Sequence, residues 1–218
     1  MKRSLSPWRG ASALALAIAV SSCGAPGPVY LSQVQEAQKD LAAGDPEQAQ
    51  RVLRGIGKLS EGSKLEQLEF HLTLARTLTY LGILSEPVFL GEDLTPQKLE
   101  RRKRSIDTAT GHYRDARQHF HAAAELLPVD ADGRSKVDDQ KDRYEIELGI
   151  GLSYLREGIL LQEPQWLREA DKRFATCDQI ARGVGGQLGA DPRLIFYRAR
   201  QFQPAGKLNQ SIVEQLMV

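Results

Sequence analysis

The chain has 218 residues, with 29 Lys and Arg against 28 Asp and Glu, and a formal net charge of +1 at pH 7. This balance excludes the strongly basic surface with which nucleic-acid binders neutralise phosphates. The length suits one domain with a hydrophobic core, and two cysteines exclude a scaffold held by several disulfides.

The first 22 residues have the layout of a secretory signal. Three basic residues, Lys2, Arg3 and Arg9, precede an apolar run over residues 11–20. A basic start followed by about ten apolar residues is typical of an export signal, and the run is too short to span a bilayer as a mature helix. Removing this segment takes away three basic residues and leaves 26 against 28 acidic ones, so the remaining chain is slightly acidic.

The end of this segment carries a resemblance to a known family. Val20-Ser21-Ser22-Cys23 resembles the lipobox of bacterial lipoproteins, with a branched apolar residue and two small residues before the cysteine. The resemblance implies that a signal peptidase removes residues 1–22, and that Cys23 carries covalent acyl chains that attach the protein to a membrane. The alternative is an ordinary secretory signal with a chance cysteine.

Residues 23–29 are predicted to be a lipidated cysteine and a short tether. Pro26 and Pro28 keep such a segment extended, and its shortness places the folded part near the membrane surface. In enterobacterial lipoproteins an aspartate after the lipidated cysteine tends to retain the protein in the inner membrane. Gly24 stands at that position here, which favours the periplasmic face of the outer membrane.

Residues 30–218 are predicted to form one helical domain. Apolar residues at steps of three and four indicate helices over residues 30–43 and 46–59, which we expect to pack as a hairpin. Gly44-Asp45-Pro46 separates them, with a glycine after one helix, a capping aspartate, and a proline in the first turn of the next. No stretch alternates apolar and polar residues as a strand does.

The third predicted helix, residues 63–81, is apolar on more than one face, which is typical of a helix packed between neighbours. Gly82 is expected to end it. Two interpretations remain open for an apolar run in the loop that follows, residues 83–94: it plugs the end of the core, or it is a lid or partner contact. The residues of this run are Val88, Phe89 and Leu90.

The longest predicted helix covers residues 95–127 and keeps one apolar stripe from Leu99 to Leu127. A basic cluster lies on its polar side. One interpretation of this cluster is a solvated surface, and the other is contact with anionic lipid or an acidic partner. The next helix begins with acidic residues, Glu145 among them, that are candidates to pair with the cluster across the hairpin. The arginines assigned to a possible partner contact are Arg101, Arg102 and Arg104.

The rest of the chain predicts another hairpin over residues 137–181, and a shorter helix from residue 192 that Pro204 and Gly206 interrupt. A short amphipathic segment follows, and such a segment folds only against another surface, since short helices are marginal alone in water. We expect it to cover the open apolar side of the preceding helix, with docking on a partner as the alternative. Its apolar residues lie four apart: Leu208, Ile212 and Leu216.

The second helices of the predicted hairpins share a pattern of an alanine, a large apolar residue four further on, and another core residue three after that. Residues 111–128 show it most clearly, and Pro128 ends them. This stretch resembles the second helix of a tetratricopeptide repeat. The resemblance implies an all-α fold in which antiparallel helical hairpins stack as a right-handed array. The residues assigned to this packing are Ala49, Leu53, Tyr113, Ala116, Phe120, Ala123, Ala170 and Phe174.

The sequence holds no pattern of catalytic or metal-ligating residues. His112 and His119 would lie about 10 Å apart along one helix, too far to share an ion, and His71 lies elsewhere in the sequence. Cys177 occupies a core position, which predicts an inert thiol rather than a nucleophile. We therefore expect no enzyme, no metal and no cofactor other than the lipid on Cys23.

These features predict a membrane-anchored periplasmic adaptor or assembly factor whose stacked hairpins present a groove to a protein partner of the cell envelope. No nucleic-acid partner is expected. The alternative function is a small-ligand receptor associated with a transporter. A long open groove with polar side chains would favour the adaptor, and an apolar pocket near Phe70, Leu74 and Phe89 would favour the receptor.

Overall fold

The structure is a computed structural model, and it describes residues 29–56, 63–87, 95–127, 137–183 and 191–201. All regular secondary structure in these ranges is α-helical, as the apolar periodicity predicts. The helices are α1 (Val29–Ala42), α2 (Pro46–Arg54), α3 (Lys64–Ser85), α4 (Pro96–Leu126), α5 (Val137–Leu161), α6 (Pro164–Gly183) and α7 (Pro192–Gln201).

Polar side chains determine where two of these helices begin. Asp45 caps α2, and its carboxylate accepts a hydrogen bond from the amide of Gln48 at 2.9 Å. Gly44 before it has φ of +83°, a left-handed conformation that glycine adopts without strain. Ser63 and Glu66 form a reciprocal capping box at the start of α3, because the side chain of each accepts a hydrogen bond from the amide of the other.

Consecutive helices pack as hairpins, and each hairpin packs on the next. The pairs α1/α2, α3/α4 and α5/α6 form the hairpins, and α2 contacts α3, α4 contacts α5, and α6 contacts α7. The first helices of the hairpins also touch in series, α1 with α3 and α3 with α5, and α5 in turn touches α7. The first helices of the hairpins therefore lie side by side and present a common face.

The buried core is divided into three clusters along this series. One joins α1, α2 and α3, the next joins α3, α4 and α5, and the last joins α5, α6 and α7. Helices α3 and α5 each contribute to two clusters. Membership of two clusters explains why α3 is apolar on more than one face, since it packs on both of its neighbours.

Three aromatic rings of the second helices lie directly against glycines of the first helices. A β-carbon built at any of these glycines would approach ring atoms to between 2.2 and 2.5 Å, closer than real β-carbons come to other atoms. The absence of a side chain therefore allows the helices to approach closely at these points. The contacts are Tyr113 with Gly82, Phe120 with Gly149, and Phe174 with Gly151.

Two predicted helix ends are wrong. Gly82 does not end α3, which continues to Ser85, because Gly82 is a packing residue beneath the ring of Tyr113. The helix predicted over residues 46–59 ends at Arg54, where the amide of Gly55 bonds to carbonyl oxygens of the last turn. Glycine has the same low helix propensity wherever it stands in the sequence. Whether a helix ends at a glycine or continues through it therefore depends on packing against the neighbouring helix.

Helix α4 is unbroken over its 31 residues, but its apolar stripe is buried only from Ala109 onward. Leu99, which the sequence places on the stripe, is 47% exposed. The reason lies in the position of Tyr113, which contacts the last turn of α3 and Glu86 just after it. The first turns of α4 therefore extend past the end of its partner helix.

The equivalence between hairpins also differs from the sequence pattern. The shared pattern, Ala116-Phe120-Ala123 in one helix and Ala170-Phe174-Cys177 in the other, makes Phe120 equivalent to Phe174. Yet Phe120 packs on Gly149 of the following hairpin, whereas Phe174 packs on a glycine of its own hairpin. The residue of α4 that packs on its own first helix is Tyr113. Tyr113 is thus the structural counterpart of Phe174, two helical turns from the residue that the pattern suggested.

Candidate functional site

A pocket of about 190 Å³ opens between α3, α5 and α7. Phe120 and Leu148, which line it, are buried core residues, and Tyr80, which also lines it, is 53% exposed. The pocket thus combines an apolar base with an aromatic side chain that solvent can reach. Its lining also includes two aliphatic residues, a second tyrosine and three charged residues: Ile83, Leu152, Tyr197, Arg76, Arg193 and Glu145.

The charged residues of the pocket are unequally paired. Arg193 donates to Glu145 at 2.6 Å and to Asp191 at 2.8 Å. The hydrogen bond to Asp191 has the largest effect on the pKa of Arg193, followed by the bond to Glu145. Both raise this pKa further above its usual range. Burial alone would raise the pKa of Asp191, but its bonds from Arg193 lower it overall. Arg76 makes a longer contact, 3.8 Å to Glu145, and its side chain is 39% exposed.

Glu145 does not reach the basic cluster of α4 with which the sequence suggested it could pair. It binds Arg193 and Arg76 instead. The α4/α5 pair is antiparallel, since Arg117 contacts Glu157 while Phe120 lies on Gly149. Antiparallel packing places the start of α5 beside the end of α4, far from the basic cluster at the start of α4.

A second polar cluster joins the end of α3 to α4 and α5. Glu86 accepts a hydrogen bond from the hydroxyl of Tyr113 at 2.5 Å, and its two oxygens accept from Arg156 at 2.7 Å each. Burial, followed by the bond to Glu86, raises the pKa of Tyr113. The cluster fixes the point where the chain leaves α3. Its groups are mutually satisfied, which indicates a structural role.

A third cluster is centred on Glu157, whose side chain is fully buried. Its carboxylate binds Arg117 at 2.5 Å and Arg114 at 2.9 Å. The guanidinium of Arg117 also lies 4.3 Å from the centre of the Tyr154 ring, which stacks on Trp166. Arg114 and Arg117 lie on α4 and Glu157 lies on α5, so this cluster ties the two helices together.

All eight residues assigned to repeat packing are buried, each at 2% exposure or less.

The basic cluster of α4 lies at the protein surface: Arg101 and Arg104 are exposed, Arg102 is half-buried, and Arg104 lies 3.5 Å from Glu100 one turn earlier. Exposed pairs of this kind contribute little to stability.

Several predicted sites lie outside the described residues. These are the signal segment 1–22, the lipidation residue Cys23 and the apolar run of the loop after α3, which is Val88, Phe89 and Leu90. Within the described ranges, no helix combines the length and the apolar character that crossing a bilayer requires.

Cys177 is buried in the cluster of α5, α6 and α7. Burial, followed by the charges of Glu147 and other carboxylates, raises the pKa of this thiol to about 12. The nucleophilic form is the thiolate, so Cys177 stays unreactive at neutral pH. The sequence assigned it to the core, where the structure places it.

The histidines include one pair that sequence reasoning missed. Nδ1 of His71 on α3 lies 2.9 Å from Nδ1 of His119 on α4. His112 and His121 are on α4 as well, but neither is part of this contact. No group of three His, Cys, Asp or Glu side chains with metal-binding geometry occurs in the ranges that the structure describes. The two histidines are 48 residues apart, and no local pattern in the sequence links them.

The pocket residues Arg76 and Tyr80 were also missed. They lie four apart on α3, on a strip between its two buried faces, and their spacing could have identified that strip.

Comparison of this chain with protein-family models, with curated proteins and with solved structures gives no match.

Proposed function

We propose that this protein is a lipid-anchored adaptor of the bacterial cell envelope, attached through Cys23 to the periplasmic face of the outer membrane. Its hairpins would stack as a right-handed array like that of tetratricopeptide repeats, and its first helices would bind a segment of an envelope protein. The lipobox-like sequence supports the anchor. The observation that carries the binding function is the pocket between α3, α5 and α7.

The size of the pocket favours a side chain over a complete small ligand. Small-molecule sites usually have volumes of about 300–1,000 Å³. A cavity of about 150 Å³ holds a single benzene ring. The 190 Å³ pocket therefore matches one aromatic or large aliphatic side chain that projects from a bound segment. This match supports the adaptor over the receptor.

Two of the three residues at which the sequence suggested a receptor pocket, Phe70 and Leu74, are part of the hydrophobic core. Phe70 is 9% exposed and belongs to the cluster of α1, α2 and α3, and Leu74 packs against that cluster. These side chains thus fill the space between hairpins. Phe89 lies outside the described residues.

The edge of the pocket has the composition of a protein-binding site. Tyr80 is half exposed, and tyrosine and arginine are enriched among the residues that dominate interface energies. Leu84, one turn after Tyr80, is 67% exposed and extends the apolar surface along α3. A partner segment that lies across the first helices would cover both residues.

The test is site-specific photo-crosslinking in intact envelopes. A photoreactive residue replaces Tyr80 at the pocket or Gln118, an exposed residue of the second helix α4. We expect a discrete protein adduct from position 80 and none from position 118. Equal crosslinking from both positions would reject the groove as the binding surface. A small molecule that co-purifies and blocks crosslinking at position 80 would support the receptor instead.

A further inference from the structure

A second pocket, also of about 190 Å³, lies between α4, α5 and α6. Among the described residues, it has no lining residue in common with the pocket between α3, α5 and α7. On α5, Arg143 and Glu147 line the second pocket and are four residues apart, whereas Glu145 and Gly149 line the other and are four apart on another face of the helix. The two pockets therefore open on different sides of α5.

Each of the three helices contributes apolar side chains to the second pocket. Leu127, which directly follows α4, and Ile146 of α5 are buried core residues, and Ile180 of α6 packs against the core of α5, α6 and α7. Ala124 lines the pocket from an exposed position of α4. A cavity of about 150 Å³ holds a benzene ring, so this pocket has room for one compact apolar group.

Arg143 brings a positive charge into this apolar lining. Its Nε atom is inaccessible to solvent and has no hydrogen-bond partner within the described residues. A buried donor without an acceptor destabilises a folded protein, and an acceptor that binds beside it removes that cost. The pocket thus offers a buried donor for a ligand at the edge of an apolar space.

Two other polar groups of the pocket already have partners. The carboxylate of Glu147, one turn after Arg143, accepts hydrogen bonds from Arg173 at 3.1 and 3.3 Å. The hydroxyl of Thr176 donates to the backbone carbonyl of Lys172 at 3.1 Å. Because Arg173 matches the charge of Glu147, the charge of Arg143 remains to attract an anion.

We propose that this second pocket binds a carboxylate that is attached to a compact apolar group. Arg143 would donate from Nε and from a terminal nitrogen to the two carboxylate oxygens, because the planar guanidinium matches that geometry. The apolar group would lie against Leu127, Ile146 and Ile180. The same lining disfavours a small, fully hydrated anion such as phosphate, which would lose its water without gaining apolar contacts. Small free carboxylic acids and the C-terminal residue of a protein both have this chemistry.

The proposal does not depend on the adaptor function. The two pockets are lined by different residues, so a ligand in one does not require a partner in the other. Binding at the second pocket can therefore be measured on the protein alone.

The experiment uses the ¹⁵N-labelled full-length chain with Cys23→Ser, which prevents acylation. Isocaproate is titrated at neutral pH and constant ionic strength, and NMR follows the Nε–H resonance of Arg143 and the amide resonances of Ile146 and Ile180. Isocaproamide has the same apolar group without the charge. An acetylated glycyl-leucine dipeptide, with a free or an amidated C-terminus, represents the end of a protein chain.

Two variants test the charge and the space separately. Arg143→Gln removes the charge. Ala124→Leu keeps Arg143 but adds volume at an exposed lining position, where a larger side chain does not disturb the core. Arg168→Gln is the matched control, because Arg168 is exposed on α6 and does not line the pocket.

We expect isocaproate to shift these resonances to saturation, and isocaproamide to bind about tenfold more weakly or less, since a hydrogen bond to a charged group contributes at least that factor. Arg143→Gln and Ala124→Leu should each weaken isocaproate binding by a similar factor, while Arg168→Gln binds like the parent protein. Tighter binding of the free-acid dipeptide than of isocaproate would identify a protein C-terminus as the ligand, and the reverse a small acid. Equal binding of acid and amide, unchanged binding in either pocket variant, or no saturable shift overturns the proposal.

Discussion

Gly82 on α3 lies directly beneath the ring of Tyr113 on α4, so that a β-carbon at Gly82 would come within 2.5 Å of ring carbon Cε1. The ring is fully buried, and its hydroxyl donates to Glu86 at 2.5 Å. Moving the ring aside would break this bond or disturb the core. The glycine therefore sets how closely the two helices of this hairpin approach each other.

Substituting alanine at this glycine is expected to destabilise the protein. Overpacking a well-packed core typically costs about 1–3 kcal/mol, whereas alanine gains about 1 kcal/mol over glycine in helix propensity. Because the buried ring cannot yield freely, we expect Gly82→Ala to lower the free energy of urea unfolding by about 1 kcal/mol or more.

Gly111 provides a control of opposite sign for that substitution. It lies inside α4, and nothing comes within 4 Å of a β-carbon built there. Gly111→Ala should therefore raise the free energy of unfolding by up to about 1 kcal/mol through helix propensity alone. If both variants shift the urea midpoint in the same direction, the Gly82–Tyr113 contact does not have the role described.

The histidine pair predicts that stability falls in mild acid. The pKa values of His71 and His119 are lowered below 6.5 in the folded protein, mainly by burial. Between those values and 6.5 the unfolded chain binds more protons than the folded one. The contribution is therefore complete above pH 6.5 and is lost as the pH falls through the folded pKa values.

The measurement is the free energy of urea unfolding at a series of pH values on either side of 6.5. We expect the wild-type value to decrease towards acid pH. The double variant His71→Gln/His119→Gln should show a shallower decrease, because glutamine does not titrate. An unchanged slope in the double variant would contradict a titration linked to this pair.

Lipidation at Cys23 predicts the behaviour of two serine variants. Cys23→Ser should yield a protein without acyl chains, and any processed form should leave the membrane fraction. Cys177→Ser should stay membrane-bound, since Cys177 is a buried core residue. Mass spectrometry and fractionation after a high-salt wash measure both outcomes. If Cys23→Ser remains with the membranes as wild type does, the anchor is not the lipid.

The segment after α7 predicts the effect of a C-terminal deletion. Ile195 on α7 is 51% exposed, and the amphipathic segment with Leu208, Ile212 and Leu216 lies outside the described residues. We expect this segment to cover the apolar side of α7. Deleting residues 205–218 should then lower the thermal midpoint and increase the binding of an apolar dye. Unchanged stability with loss of the crosslink at position 80 would make the segment a recognition element instead.

The helices and their pairing into hairpins could be predicted because their signals are local. Apolar residues at steps of three and four specify a helix wherever they occur, and Asp45 and Ser63 mark two starts through bonds that span three residues. Burial of the assigned core residues follows from the same period, since a residue on the apolar stripe faces the neighbouring helix.

The contacts between helices depend on how far each helix is shifted along its neighbour. His71 and His119 are 48 residues apart in sequence and Glu86 and Arg156 are 70 apart, so nothing local links them. Long-range packing also made Gly82 a contact residue inside α3. The pocket likewise exists only where α3, α5 and α7 converge.

The difference between Tyr113 and Phe120 shows the physical reason. The two residues are two turns apart on the same stripe of α4, so an apolar period of about 3.6 residues assigns both to the buried face. The period does not distinguish one turn from another. Which ring meets which glycine is decided by the shift between helices, and that shift is set by the fit of Tyr113 on Gly82 and Phe120 on Gly149.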